Sequence, residues 1–276
     1  MAQTERNTED SEMSFLDHLE ALRWHLIRSI IAVVVFSIAA FVNKAFFFDG
    51  VILAPKNTDF WSYRMLCRLS DQLHLGDQLC VTEINFEVFN LNMAGQFTAH
   101  IIISFAIGII IAFPYIMWEM WRFIKPALHA RERKYATGIV GYTSLLFFIG
   151  VLFGYFILTP ISIQFLGNYN VSMEVANQIN LGSYISTVSG VVFATAIVFE
   201  LPIIIYFLTK IGLVTPAMLR GFRKHSLIVI LLISAILTPP DLTSQLLLSI
   251  PFYLLYEVSI LVSARVMANL PETGST

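Results

Sequence analysis

The 276-residue chain is 57% hydrophobic and only 13% charged, with a mean hydropathy of +0.72. Soluble domains carry about 25% charged residues, so a soluble globular fold is excluded and one polytopic membrane bundle is expected. The net charge of −2 excludes little, because the placement of basic residues decides more in a membrane protein than their sum.

Residues 1–14 are polar and acidic. They lack the basic n-region and small-residue cleavage site of a signal peptide, so the first span is expected to stay in the mature protein. Ser14 and Asp17 read as a helix start. Phe15, Leu16, Leu19 and Leu22 then form one apolar face with Asp17, Glu20 and Arg23 beside it, an amphipathic lead-in for the interface. Apolar runs predict six spans: 26–42, 97–121 with Pro114 inside, 135–165 with Pro160 near its end, 184–208, 226–238 and 244–262. The fifth reaches only ~20 Å at helical rise, short of the ~30 Å hydrocarbon core. Pro239-Pro240 ends it, and Asp241 or Thr243 can cap the next helix.

Basic residues orient the spans. One side holds Arg6, Arg23, Arg28, Arg122, Lys125, Arg131, Arg133, Lys134, Lys210, Arg220, Arg223, Lys224 and Arg265; the other holds Lys44, Lys56, Arg64 and Arg68. Both termini are therefore expected to be cytoplasmic. The fold expected is all-α: one membrane domain over 1–265, a long outer loop over 43–96 forming a cap, and a tail over 266–276. Cys67 and Cys80 share that outer loop. They pair if it faces an oxidising compartment; two free thiols are the alternative. No internal repeat is visible, which weighs against the inverted-repeat transporters.

Glu200 interrupts an otherwise apolar run, where a carboxylate costs roughly 2.5–3.5 kcal/mol on insertion scales. It is either a structural carboxyl bonded to a neighbouring helix or a functional site inside the membrane. Glu132 is the one carboxylate among the basic groups of the turn 121–134. There is no phosphate-binding glycine loop and no metal-ligand spacing of His or Cys. No nucleophile–base pair stands out in the spans. Neither a cofactor nor a metal is expected, and no enzyme activity. The motif Leu-Pro-Glu-Thr-Gly at 270–274 resembles a sortase signal without a hydrophobic tail after it, and it is set aside as chance or an added tag.

In order along the chain, His18-Leu-Glu-Ala-Leu-Arg23, Phe123-Ile-Lys-Pro-Ala-Leu128 with Glu132-Arg133, Phe199-Glu-Leu-Pro202, and Leu237-Thr-Pro-Pro-Asp241 with Ser244-Gln245 resemble the TatC family of the twin-arginine protein translocase. The resemblance covers about residues 15–265. It implies a six-helix, glove-like concave bundle with short fifth and sixth helices in the cytoplasmic (inner) membrane. It implies a receptor that binds twin-arginine signal peptides and exports folded proteins, with TatA and often TatB, using the proton-motive force. Self-association is expected, and nucleic acid is not. Carried onto this chain, Glu132 is the glutamate contacting the arginines, and Phe123 and Pro126 are the aromatic and proline before it. Pro55 is the proline of the first outer loop, with Asp241 in the last. Glu200 is the membrane-embedded glutamate, and Thr238 and Gln245 belong to a polar cluster that meets partner helices.

One departure stands out. The family's N-terminal motif reads His-Leu-x-Glu-Leu-Arg, and here the glutamate position is Ala21. Glu20 stands one residue earlier, ~100° around a helix, and would have to reach the arginines, with Arg23 beside it, from a tilted helix. Guanidinium groups bind carboxylates through planar, often bidentate hydrogen bonds that lysine cannot copy. Two other classes remain open on the residues alone. A small transporter or channel would use Glu200 as an ion site and need a polar path. A membrane enzyme would need a nucleophile.

Overall fold

The computed structural model describes residues 15–72, 86–125, 136–169, 172, 178–237 and 242–268. The apolar runs fold as helices because a helix satisfies every interior backbone group within its own segment, which a bilayer demands. Helix α1 (Phe15–Val42) absorbs the amphipathic lead-in and the first span into one continuous 28-residue helix. After it come a π-helical segment (Ala45–Ile52), a 3₁₀ turn (Ala54–Lys56) and α2 (Trp61–Gln72). Strand β1 (Glu87–Phe89) leads into α3 (Gly95–Ile124). Helices α4 (Ala136–Phe153) and α5 (Thr159–Asn168) are joined by a π-helical turn over Gly154–Leu158. Strand β2 (Gln178–Asn180) opens directly into α6 (Leu181–Phe199), which α7 (Leu201–Lys210) continues. The short α8 (Pro216–Gly221), α9 (Arg223–Leu237) and α10 (Leu242–Ala268) follow.

Five of these helical segments are long and apolar enough to cross a membrane: 19–42, 95–124, 138–168, 181–210 and 248–268. The protein is a predominantly helical polytopic membrane protein. Helix α9 has only 15 residues, about 22 Å at helical rise, and matches the short fifth span read from the sequence.

Two spans depart from plain α-helix at prolines. A proline ring clashes with the carbonyl four residues back and removes one N–H. Ahead of Pro160 the chain widens into a π turn, and the Thr159 hydroxyl donates to the Gly154 carbonyl at 2.9 Å. Ahead of Pro202 the fourth span breaks into α6 and α7 with Glu200 at the joint.

Helices α1 and α3 lie antiparallel. Phe41 stacks on His100 with ring centroids 3.9 Å apart, and a Cβ on Gly108 would come within 2.8 Å of the Ser37 backbone nitrogen. The outward face of α1, including Leu26, Ile30, Val34 and Ile38, is exposed, as expected of a lipid-facing helix. Helices α4 and α6 approach through glycine: a Cβ on Gly150 would lie 2.7 Å from Ala196 Cα.

The sequence reading contained no strand. In the structure β1 and β2 pair in parallel, Val88 opposite Ile179, and so set the starts of α3 and α6 side by side. The Asn180 side chain caps α6 by accepting from the Gly182 N–H at 2.8 Å. Nearby, three tyrosine hydroxyls converge on one irregular turn. Tyr155 donates to the Val51 carbonyl at 2.6 Å, Tyr184 to Ile52 at 2.9 Å and Tyr63 to Pro55 at 2.9 Å. Burial raises the Tyr63 phenol above its ordinary pKa, so it stays a donor.

At the other end, Trp121 of α3 meets Phe207 of α7 with ring centroids 4.8 Å apart. The Thr209 hydroxyl donates to Ser263 of α10 at 2.8 Å, and Arg223 of α9 pairs with Glu257 of α10 at 2.7 Å. These contacts gather Arg122, Lys125, Lys210, Arg223 and Arg265 at one end of the bundle.

The α4–α6 contact yields a stability test. Gly150→Ala places a methyl against backbone that cannot retreat without moving a helix, and overpacking of this kind costs about 1–3 kcal/mol. Thermal unfolding in detergent should fall for Gly150→Ala and hold for Gly190→Ala, where a Cβ meets nothing within 4 Å.

Candidate functional site

The residues carried over from the family fall into three places. At the basic end, the start of α1 lies beside the end of α3. Glu20 and Arg23 are exposed there, and Ala21 is half-buried. Phe123 is half-buried, with its ring edge-on to His25 of α1 at a centroid distance of 6.1 Å. Pro126 and Glu132 lie outside the described residues, in the segment that begins just after Lys125.

The second place is the joint between α6 and α7. The Glu200 carbonyl accepts from the N–H groups of Ile203 and Ile204, both at 3.0 Å. Its side chain is only partly exposed, and Oε1 is buried with no hydrogen-bond partner among the described residues. A carboxylate ahead of a helix N-terminus is favoured by the helix dipole. A buried oxygen without a partner in such a site is costly.

The third place holds the polar positions at the start of α10 and the outer turn. Gln245 Nε2 donates to the Leu231 carbonyl of α9 at 3.0 Å, so this amide ties the short helix to its neighbour. Thr238 and Asp241 lie outside the described residues. Pro55 is buried in the 3₁₀ turn, and its carbonyl is the acceptor for Tyr63. Cys67 is half-buried on α2, and Cys80 lies outside the described residues, as does the tail motif.

A charged group that sequence reading passed over occupies the α1–α3 seam. Glu119 is 1% exposed, accepts three hydrogen bonds and lies within ion-pair distance of a fourth group. Its Oε2 lies 2.5 Å from His25 Nδ1 and 3.9 Å from Arg28 Nη1; its Oε1 takes the Tyr115 hydroxyl and Arg122 Nη1, both at 3.1 Å. Arg122 also lies over the Trp118 ring at 4.8 Å, a cation–π arrangement. The signal was present: Glu119 is a carboxylate in an apolar run, with Arg122 three residues on and Tyr115 four residues back, one helical face. The reasoning that singles out Glu200 applies to it equally.

Comparison with known proteins agrees with this layout. The family profile "Sec-independent protein translocase protein (TatC)" matches residues 17–251. The TatC protein of Blattabacterium sp. subsp. Periplaneta americana (strain BPLAN) is 40% identical over 256 residues, covering 92% of this chain and 96% of its own. The TatCy protein of Bacillus subtilis (strain 168) is 30% identical over 92% of this chain and 89% of its own. A crystal structure of the twin-arginine translocase receptor TatC in DDM superposes with a TM-score of 0.68 at 34% identity. It covers 89% of this chain and 99% of that one. The motifs, the helix order and these matches agree, and the chain belongs to the TatC family of Sec-independent protein translocase proteins.

Proposed function

We propose that this chain is the signal-peptide receptor and core subunit of a twin-arginine translocase. It binds signal peptides with two adjacent arginines and exports folded proteins with TatA, and TatB where present, driven by the proton-motive force. The observation that carries this reading is the surface at the basic end. There Phe123, fixed against α1, directly precedes the segment bearing Glu132, with exposed Glu20 and Arg23 alongside. An aromatic platform next to carboxylates suits a guanidinium, which stacks and accepts bidentate pairing. The bundle sits in the cytoplasmic membrane with six spans, α9 being the fifth, and with both termini and the basic end cytoplasmic, as the positive-inside rule orients it.

In this reading Glu132 contacts the arginine pair. Losing a charge-assisted hydrogen bond costs roughly 1.5–3 kcal/mol, about tenfold or more in affinity. Glu132→Ala should therefore weaken binding of a twin-arginine peptide, and a twin-lysine peptide should bind poorly to either form. Equal binding by wild type and variant would remove Glu132 from the site.

Glu200 faces the concave side, where its unpartnered oxygen accepts a donor from a partner's transmembrane helix. Interhelical hydrogen bonds in membranes contribute about 0.6–2 kcal/mol. Glu200→Ala should leave peptide binding nearly intact and impair transport and crosslinking to partner helices; Glu200→Gln should keep part of both. Normal transport by Glu200→Ala would leave Glu200 a structural residue. Thr238 and Gln245 belong to the same partner-contact face. In the outer loop, Cys67 and Cys80 form a disulfide. Non-reducing mass analysis should show the chain two hydrogens lighter than after reduction, and two alkylatable thiols without reduction would rule the bond out.

A further inference from the structure

Glu119 calls for a role of its own. It is the most enclosed carboxylate among the described residues, and it lies at the end of a helix that outruns the bilayer. At 30 residues α3 is about 45 Å long, so its last turns reach the interfacial zone beyond the ~30 Å core. Glu119 accepts hydrogen bonds from His25 of α1 and from Tyr115 and Arg122 of α3, and Arg28 of α1 stands at ion-pair distance. Its two arginine partners are different. Their side chains are 46% and 44% exposed, near the end of the bundle that carries Arg23 and Phe123.

The antiparallel register fixes what stands next to this cluster. His25 lies opposite Glu119, Gly108 abuts Ser37, and Phe41 stacks on His100. One turn from His25 toward the start of α1 is Ala21; one turn past Glu119 is Phe123. Position 21 therefore faces α3 at the level of Phe123, consistent with its half-burial, and Glu20 turns away from α3 and is exposed. The acid described on that seam is Glu119 of α3.

We propose that Glu119 is a positioning residue for the twin-arginine recognition surface. Through His25 it holds α1 against α3, so that Phe123 stands opposite Ala21. Through Arg28 and Arg122 it keeps the surface's own guanidiniums paired, so that an arginine-bearing ligand does not meet two free cations. This inference rests on the signal-peptide reading above. Neutralising Glu119 leaves Arg28 and Arg122 uncompensated where two further guanidiniums must dock, and like charges at close range oppose association.

The experiment uses the full chain in lipid nanodiscs and a fluorescent twin-arginine signal peptide, with a twin-lysine peptide as control, at low and high salt. Thermal unfolding confirms that each variant is folded. Glu119→Gln should bind the twin-arginine peptide about tenfold more weakly at low salt. The deficit should shrink at 1 M salt, where the Debye length is about 3 Å. Glu119→Gln with Arg122→Gln restores the local charge and should recover most of the affinity, which a purely structural role would not allow. If wild type fails to prefer arginine over lysine, the signal-peptide reading fails and takes this inference with it. If wild type is selective but Glu119→Gln binds equally well at both salts, the inference alone is overturned. A deficit that ignores salt and is not recovered by the double variant also overturns it.

Discussion

A backbone carbonyl or amide released from a helix inside a bilayer has no water to turn to, and this architecture depends on how those groups are claimed. Just beyond the first span, which ends at 42, the same accounting holds: Tyr155, Tyr184 and Tyr63 reach in from three different elements to take the carbonyls of Val51, Ile52 and Pro55. Where Pro160 widens a span, Thr159 takes the Gly154 carbonyl. At the joint between α6 and α7, the Glu200 carbonyl is taken by Ile203 and Ile204. Irregular backbone at membrane depth is tolerated only when neighbouring groups satisfy it. The tyrosine set therefore does more than close a turn. It ties α2, the end of the third span and the start of α6 to one short stretch of chain.

Composition and periodicity made the spans legible. Apolar runs report a long helix in a bilayer directly, since the lipid face and the packed face are both apolar. The brevity of α9 was legible for the same reason: its ends are marked by Lys224 on one side and Pro239-Pro240 on the other. The β1–β2 pair was not legible. Three-residue strands are too short for an alternation signal, and their pairing joins residues about 90 positions apart. The break at Glu200 was written in Pro202, two residues on, but an unbroken apolar run concealed it. Nothing in the spacing of Tyr63, Tyr155 and Tyr184 announces that their hydroxyls meet on one turn, because that meeting exists only after the helices have packed.

Of the candidate site, the motif residues could be placed from the sequence, and their electrostatic setting could not. Phe123 sits where its motif puts it, at the end of α3, but the contact with His25 that orients it spans nearly 100 residues. The substitution at Ala21 was visible as a departure. Its consequence needed the register of α1 on α3, which shows that Glu20 and position 21 face different surroundings. Gln245 shows the reverse case. Its motif suggests a partner contact, and the structure adds that its amide already holds α9 to α10.

Glu119 and Glu200 separate on one criterion, how far their acceptor capacity is spent. Glu119 accepts from a histidine, a tyrosine and one arginine, with a second arginine at ion-pair distance. Its removal uncovers charge, and breaking a buried pair from one side typically costs about 3–5 kcal/mol. An incoming ligand would have to displace partners held on both α1 and α3, which suits the positioning role proposed for Glu119. Glu200 keeps an oxygen unpartnered at a helix break. That arrangement is unfavourable in isolation, and the partner-helix role proposed for Glu200 rests on it. The two proposed roles differ accordingly: a paired carboxylate near the surface to hold the geometry of recognition, and one with an unpaired oxygen deeper in the bundle to receive a partner's donor.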